Sequence, residues 1–417
     1  MPRADVVVIG AGLSGLSCAA ELAERGARVF LAAKGMATTH WTHGGLDLAA
    51  PAGASTVRDG VHTLAAIDGH PYRSLAADLE AAAVAHRARM AAEGLRYAGS
   101  LDAPLIPLPT SIGSLRPAAI LPAAQAAALE PWAGTRLLLV GFGRYRDAWA
   151  PYAARNLRHA AWPEGPAEVG AVEVELPGLG RLHNIAPQVL ARLFDGPAWR
   201  TRAFSAITDV LPAGAWRIGM PAVLGLDQHA DVHAEAERRL GHPVFEMVSL
   251  PPSVPGIRLF DALRRRILAA GGRVQIGFDV VRVERTGNRI IAIHTEAASR
   301  TLRIAGDAFV LATGGIGGAG IRAQHDGTLV ERVFGLPVSA PPRERWFSDD
   351  PLHLHPLETA GIEVGDDLAP FELENVRVIG SGLPGMHYLD ERCGDGVALA
   401  SARRAVRSVA GDRAVAA

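Results

Sequence analysis

The amino-acid sequence predicts an α/β protein: one parallel-sheet domain assembled from three separated chain segments, with a second α/β domain inserted as a cap. Three observations carry this. Near the N-terminus an apolar strand, Val6-Val-Val-Ile9, runs into Gly10-Ala-Gly-Leu-Ser-Gly15 and then a helical pattern. Far along the chain a second apolar run, Ala308-Phe-Val-Leu-Ala312, ends in Thr313-Gly314-Gly315. Near the C-terminus a third, Val376-Arg-Val-Ile379, ends in Gly380 and precedes a last helix that opens at Gly394-Asp-Gly396.

The first segment reads as strand, turn, helix and strand, which makes it a Rossmann-like unit. Gly10 makes the tight turn, Gly12 lets the backbone approach a pyrophosphate, and Gly15 lets the helix pack closely on the strand. Leu13 and Ser14 open that helix, whose unpaired N–H groups and positive dipole end face the phosphates. The helical pattern ends near Glu24, Gly26 turns the chain, and Arg28 to Ala33 reads as the second strand. Gly10, Gly12, Leu13, Ser14 and Gly15 are therefore candidate cofactor contacts.

One expected feature is absent. The second strand of such a unit ends in Asp or Glu, about 20 residues past the motif, to bind the ribose hydroxyls. Here it ends Phe30-Leu-Ala-Ala-Lys34. Three readings follow: FAD held by other contacts, FMN without an adenosine half, or NADP with Lys34 and Arg28 on its 2′-phosphate. Lys34 is a candidate contact.

Alanine-rich helical stretches fill roughly 60–95, and a proline-rich segment from Ala103 to Pro131 breaks regular structure. Leu137-Leu-Leu-Val-Gly141 reads as a buried strand, Ala167 to Leu176 alternates like one, and helical patterns follow near 186–195 and 229–240. Gly141-Phe-Gly143 lacks a third glycine and reads as a plain βα turn. After Leu250 come a helix near 258–270, the strand Gly272–Ile276, and a small antiparallel set that begins at Val280 and turns at Thr286-Gly-Asn288. The expected domains are 1–100, 251–320 and 361–412 for the Rossmann-like domain, and 101–250 with 321–360 for the cap.

Composition excludes several classes. Lys+Arg total 42 and Asp+Glu 43, so neither nucleic acid nor an anionic membrane surface is an expected partner. No apolar run reaches the length of about 18 residues that a spanning helix needs. The first strand begins by Asp5, which leaves no room for a signal peptide and points to the cytoplasm. With only 2 cysteines, Cys18 and Cys393, the chain cannot ligate a four-thiolate iron–sulfur cluster.

The order of these segments resembles the FAD-dependent flavoproteins of the glutathione-reductase type. That resemblance implies flavin contacts from Thr313, Gly314, Gly315, Gly380, Ser381, Gly394 and Gly396. It adds Val280 from the antiparallel set and Gly44, Gly45 and Leu46 from a loop passing beneath the flavin. Nearly the whole chain is also similar to the B-subunit family of anaerobic glycerol-3-phosphate dehydrogenases. The matching blocks are His43-Gly-Gly-Leu-Asp-Leu48, Ile112-Gly-Ser-Leu-Arg116, Met220-Pro-Ala-Val-Leu-Gly-Leu226, Leu250-Pro-Pro-Ser-Val-Pro-Gly-Ile-Arg-Leu259, Arg343-Glu-Arg-Trp-Phe347 with Asp350, and Cys393-Gly-Asp-Gly-Val397. This second resemblance implies an FMN protein, with FAD as the alternative. It also implies a flavoprotein A subunit as catalytic partner and an iron–sulfur C subunit that anchors the assembly to the inner face of the membrane. Its reaction is the oxidation of sn-glycerol 3-phosphate to dihydroxyacetone phosphate, with electrons passed to quinone. Two other readings compete: a free-standing fumarate-reductase-like flavin oxidoreductase acting on another small acid, and a structural subunit with a vestigial flavin site.

Alcohol oxidation by a flavin needs a base for the hydroxyl proton and cations for the phosphate. His43, with His40 beside it, is the candidate base. Arg116, Arg258 and Arg343 are the candidate anion ligands, since a planar guanidinium grips phosphate through two N–H groups. His353 and His355 lack a third ligand at a convincing spacing, so no metal is expected.

Overall fold

The computed structural model describes residues 3–180, 182–297 and 300–416. The chain forms two compact units. The first comprises Met1–Thr39, Asp47–Arg89 and Phe260–Ala417; the second comprises His40–Leu46 and Met90–Leu259.

The first unit is built on a seven-stranded sheet. Its order is Arg273–Ile276, Val29–Ala33, Arg3–Ile9, Arg300–Leu311, Arg289–Ala297, Asp279–Thr286, with Val376–Val378 also paired to Arg300–Leu311. The strands carrying the three glycine signals are parallel: Arg3–Ile9 pairs on one side with Val29–Ala33 and on the other with Arg300–Leu311, which pairs with Val376–Val378. The remaining two strands form an antiparallel extension that turns at Gly287 and Asn288. A parallel sheet needs both faces covered, and the residues comply: Val6, Val7, Val8, Leu31, Phe309, Val310 and Val376 are all fully buried. Each contributes roughly 1.5–3 kcal/mol of burial free energy. Helices Leu13–Glu24 and Gly394–Ala416 pack on each other, which the many alanines in both permit.

The second unit holds a parallel sheet of four strands in the order Val244–Met247, Arg217–Pro221, Arg136–Phe142, Glu168–Val174. The chain order reverses between the two central strands, a switch point of the kind where open α/β sheets usually bind ligands at their carboxyl ends. Here the protein fills both crossover-helix starts with its own carboxylates. Glu173 Oε1 accepts from the Ala150 N–H at 2.9 Å, at the head of helix Ala150–Arg158. Asp195 accepts from the N–H groups of Leu226 and Asp227 at 3.1 Å and of Gln228 at 2.9 Å, just before helix His229–Leu240. Gly141 is needed for the first arrangement, because a β-carbon there would stand 2.0 Å from Glu173 Oε1. The turn at Gly141-Phe-Gly143 thus serves an internal cap.

Two expectations differ from this architecture. Residues 321–360 group with the first unit, not with the insertion. They are tied there by the two-pronged pairing of Arg332 with Asp279 and by mutual backbone hydrogen bonds between Ser339 and Gly361. Residues 40–46, 90–100 and 251–259 lie in the second unit. The proline-rich stretch is also more regular than expected: Ile106–Pro109 and Leu115–Ala118 form a short antiparallel pair, an edge setting that tolerates proline.

Candidate cofactor site

In the first unit the three glycine signals converge on one place. A β-carbon on Gly10, whose φ is +119°, would stand 2.2 Å from the carbonyl oxygen of Ala312. One on Gly15 would stand 2.2 Å from the carbonyl oxygen of Gly10 and 3.1 Å from the Ala312 methyl. Gly314, at φ +81°, packs on Ser381, and the Gly315 N–H donates to Ser381 Oγ at 3.4 Å. Gly380, at φ +69°, lies against Ser14. Segment 312–315 therefore meets 10–15 and 380–381 at the backbone, while Gly380 leaves room for the Ser14 side chain, close approaches that glycine permits.

Gly12 behaves differently. A β-carbon on it would meet nothing nearer than the Ala37 methyl at 3.9 Å. Its missing side chain is not demanded by packing, so the bare backbone is left accessible. The helix it caps, Leu13–Glu24, has no side-chain cap and no acid in its first turn. Both features suit a pyrophosphate and contrast with the carboxylate-filled helix starts of the second unit. The last helix opens at Gly394, where the Asp395 and Gly396 N–H groups donate to the Asp47 carbonyl at 3.0 and 3.2 Å. Gly396 sits on Tyr72, whose hydroxyl donates to the Leu48 carbonyl oxygen. Val280 lies next to the start of strand Asp279–Thr286, paired with Thr295.

Arg28 and Lys34 stand at the two ends of strand Val29–Ala33. Arg28 is at the amino end of that strand, where its Nε donates to Asp5 Oδ1 at 3.0 Å and its backbone N–H to Asp5 Oδ2 at 2.8 Å. It is therefore removed from any cofactor phosphate. Lys34 Nζ stands 3.6 Å from Asp279 Oδ2, and Arg332 forks onto both oxygens of that carboxylate at 2.6 and 2.9 Å.

Several other candidate residues belong to the second unit. Gly44 and Gly45 pack inside the second unit: a β-carbon on Gly44 would lie 2.5 Å from Pro255 Cβ, and one on Gly45 2.6 Å from His43 Nε2. Tyr97 donates its hydroxyl to the Gly44 carbonyl at 2.8 Å, and the Leu46 N–H donates to Ile120 O at 3.0 Å. His43 is buried, and Gln125 Nε2 donates to its carbonyl at 2.8 Å, which fixes its backbone. Arg116 lies on the short strand Leu115–Ala118 opposite Leu108.

Arg258 is not placed to grip a substrate anion. It is buried with Glu246, donating from Nη1 at 2.6 Å and Nη2 at 2.9 Å, while Nε donates to the Gly225 carbonyl at 2.9 Å. Burial raises the Glu246 carboxyl, but the Arg258 charge and hydrogen bonds outweigh it and hold the group ionised. Arg343 sits on an exposed turn and donates to the Asp326 carbonyl at 2.8 Å, bracing the loop around Gly327.

One cluster was not foreseen. His70, Glu391 and Cys393 are buried together in the first unit, with Nε2 to Oε2 at 3.3 Å and Sγ to Oε2 at 3.4 Å. The Tyr72 N–H donates to His70 Nδ1 at 3.1 Å. A ring that accepts at Nδ1 carries its proton on Nε2, which then donates to Glu391 and has no lone pair for a metal. The arrangement is a hydrogen-bonded network beneath the 391–396 turn. His353 and His355 also serve local contacts, with Asp350 at 3.5 Å and with the Ser348 N–H at 3.1 Å. Sequence spacing gives no hint of the first cluster, because 321 residues separate His70 from Glu391.

A glycine-lined cradle at the carboxyl ends of parallel strands, with an uncapped helix start beside it, is the arrangement of a dinucleotide-binding fold. Residues 5–397 match the model of the FAD binding domain family. The B subunit of a probable anaerobic glycerol-3-phosphate dehydrogenase from Halobacterium salinarum is 32% identical over 422 residues, covering 96% of both chains. The B subunit of the anaerobic glycerol-3-phosphate dehydrogenase of Yersinia pestis is 30% identical over 433 residues, covering 99% of both. Among solved structures, a mutant of FrdA from the E. coli quinol fumarate reductase aligns over 100% of this chain and 72% of its own, at 10% identity and a TM-score of 0.45. The chain belongs to the FAD-binding-domain flavoproteins and, within them, to the B-subunit family of anaerobic glycerol-3-phosphate dehydrogenases; it is a flavin-dependent oxidoreductase.

The preference for FMN finds no support here. It came from the B-subunit resemblance together with the missing acid after Ala33, whereas the matching domain is an FAD binding domain. Among the described residues no helix is long and apolar enough to cross a membrane.

Proposed function

We propose that this chain is the FAD-binding B subunit of an anaerobic sn-glycerol-3-phosphate dehydrogenase. It would work with a flavoprotein A subunit and deliver electrons through an iron–sulfur C subunit, on the inner face of the membrane, to quinone. The observation that carries the reading is the full-length likeness to relatives of that name, at 30–32% identity over 95–99% of this chain. When bound, the flavin supplies the acceptor for the hydride that leaves C2 of the alcohol.

The chain's own residues bind and orient. Gly10, Gly12, Leu13, Ser14 and Gly15 cradle the pyrophosphate, and Lys34 with Val280 lies on the adenosine side. Thr313, Gly314, Gly315, Gly380 and Ser381 hold the ribityl region. Gly394 and Gly396 would present the start of the last helix to the flavin. His43 would take the hydroxyl proton, and with Arg258 committed to Glu246, Arg116 and Arg343 are the candidate cations left for the phosphate. Residues 101–250, which fall within the second unit, would serve as the substrate domain. The iron–sulfur centre belongs to a partner, as two cysteines require.

The test is to purify the chain alone and with its genomic neighbours, release the flavin with acid and identify it by mass. The purified protein is then mixed anaerobically with sn-glycerol 3-phosphate and flavin bleaching followed at its visible band. FAD and bleaching in the assembly are expected. A preparation that holds no flavin, or an assembly that glycerol 3-phosphate does not bleach, would sink the reading.

A further inference from the structure

The strand Val29–Ala33 carries no terminal carboxylate, yet one stands at its end. Strand Arg273–Ile276 runs parallel to it with Ile276 opposite Ala33, so both finish at the same edge of the sheet. The next two N–H groups, of Gly277 and Phe278, both donate to the Ala33 carbonyl, at 2.8 and 2.9 Å. This folds the chain across the strand end and sets down Asp279 as the next residue, against Lys34. Three residues past Lys34, the Ala37 methyl is the nearest atom to the open side of Gly12. The Gly10 N–H donates to the Ala32 carbonyl at 2.9 Å, so the strand end that Lys34 follows adjoins the glycine turn, at the carboxyl end of the strands, where the ribose of a dinucleotide lies.

Its hydrogen-bonding capacity fits a diol. A carboxylate offers about four lone-pair sites. Arg332 uses one on each oxygen and Lys34 faces Oδ2, so Oδ1 retains an acceptor position. Asp279 is 29% exposed and Lys34 64%, so both can be reached from solvent. Arg332 orients the carboxylate, and its hydrogen bonds outweigh burial to keep the group ionised.

We propose that Asp279 and Lys34 together replace the absent strand-end acid: Asp279 accepts from an adenosine-ribose hydroxyl, Lys34 donates to the ribose oxygens, and the pair selects FAD over FMN. The inference rests on the FAD reading above. The test uses full-length protein stripped of flavin, titrated separately with FAD and FMN while flavin fluorescence is followed. Variants are Asp279→Asn and, because Asp279 also anchors Arg332, Lys34→Ala at an exposed position. FMN shares the isoalloxazine, ribityl and one phosphate, so its affinity reports whether the rest of the site is intact. FAD is expected to bind roughly tenfold more weakly to each variant, about 1.4 kcal/mol, with FMN unchanged. An unaltered ratio of FAD to FMN affinity in Lys34→Ala overturns the inference while leaving the FAD reading standing. A wild-type protein that binds FMN at least as tightly as FAD overturns both. Tighter competition by 2′-phospho-ADP than by ADP would assign the pair to a phosphate and also overturn it.

Discussion

Gly10 and Gly15 meet through their backbones, so that a β-carbon on Gly15 would stand 2.2 Å from the Gly10 carbonyl oxygen. A β-carbon on Gly12, between them, would make only an ordinary contact with the Ala37 methyl at 3.9 Å. The three glycines of one motif therefore serve two ends, two of them packing and one access. Gly15→Ala should lower stability by about 1–3 kcal/mol through overpacking, with flavin lost as a consequence. Gly12→Ala should change stability by no more than about 0.5 kcal/mol and still lose most of its flavin. Thermal melts of the stripped proteins beside flavin content after purification check the split; equal melting losses would refute it.

The buried pair of Arg258 and Glu246 makes a second prediction. Arg258→Met should cost about 3–5 kcal/mol, because it strands an ionised carboxylate in the core of the second unit. Glu246→Leu combined with Arg258→Met should recover much of that loss, since no charge is then left unpaired. Urea unfolding at neutral pH measures both. A single variant as stable as the parent would show that Arg258 is not structural.

Two histidines make the fold sensitive to acid. Burial lowers His86, in the first unit, to about 3, with the nearby Arg89 charge adding to the effect. Burial also lowers His229, in the second unit, to about 4, aided by Arg258. Both are neutral in the folded protein and protonate near 6.5 when unfolded. Their stabilising effect is complete above pH 6.5 and fades as pH falls towards 4 and then 3, at up to about 1.4 kcal/mol per pH unit for each group. Denaturant midpoints between pH 7 and 4.5 should fall, and His86→Leu should flatten the slope. An unchanged slope would refute the assignment.

The thiols should be silent. Burial raises Cys18, with the Glu21 charge adding to it. Burial also raises Cys393, which donates to the Glu391 carboxylate. Ellman's reagent at pH 8 should find no fast-reacting thiol in the native protein and both of the 2 in denaturant. A native thiol that reacts within seconds would mean that the 391–396 turn opens readily.

The sequence alone determined the cofactor domain. The glycine spacing at 10–15, the strand ending in Thr313-Gly-Gly315 and the final Gly380 are local signals, each set by what the backbone must do at its own position. They prescribe where a strand ends and what can approach it, so they could be read without knowing the fold, and so could the family. Other features were decided only by tertiary structure, because each depends on what a side chain meets far along the chain. Arg258 looks like an anion ligand until Glu246 is found beside it. His70 and Glu391 are neighbours across most of the chain's length. The missing acid at Ala33 reads as a loss until strand Arg273–Ile276 pairs alongside and delivers Asp279 to the same edge. Backbone geometry is written into short runs of residues, whereas the partner of a charge is chosen by the sheet order, which no short run contains.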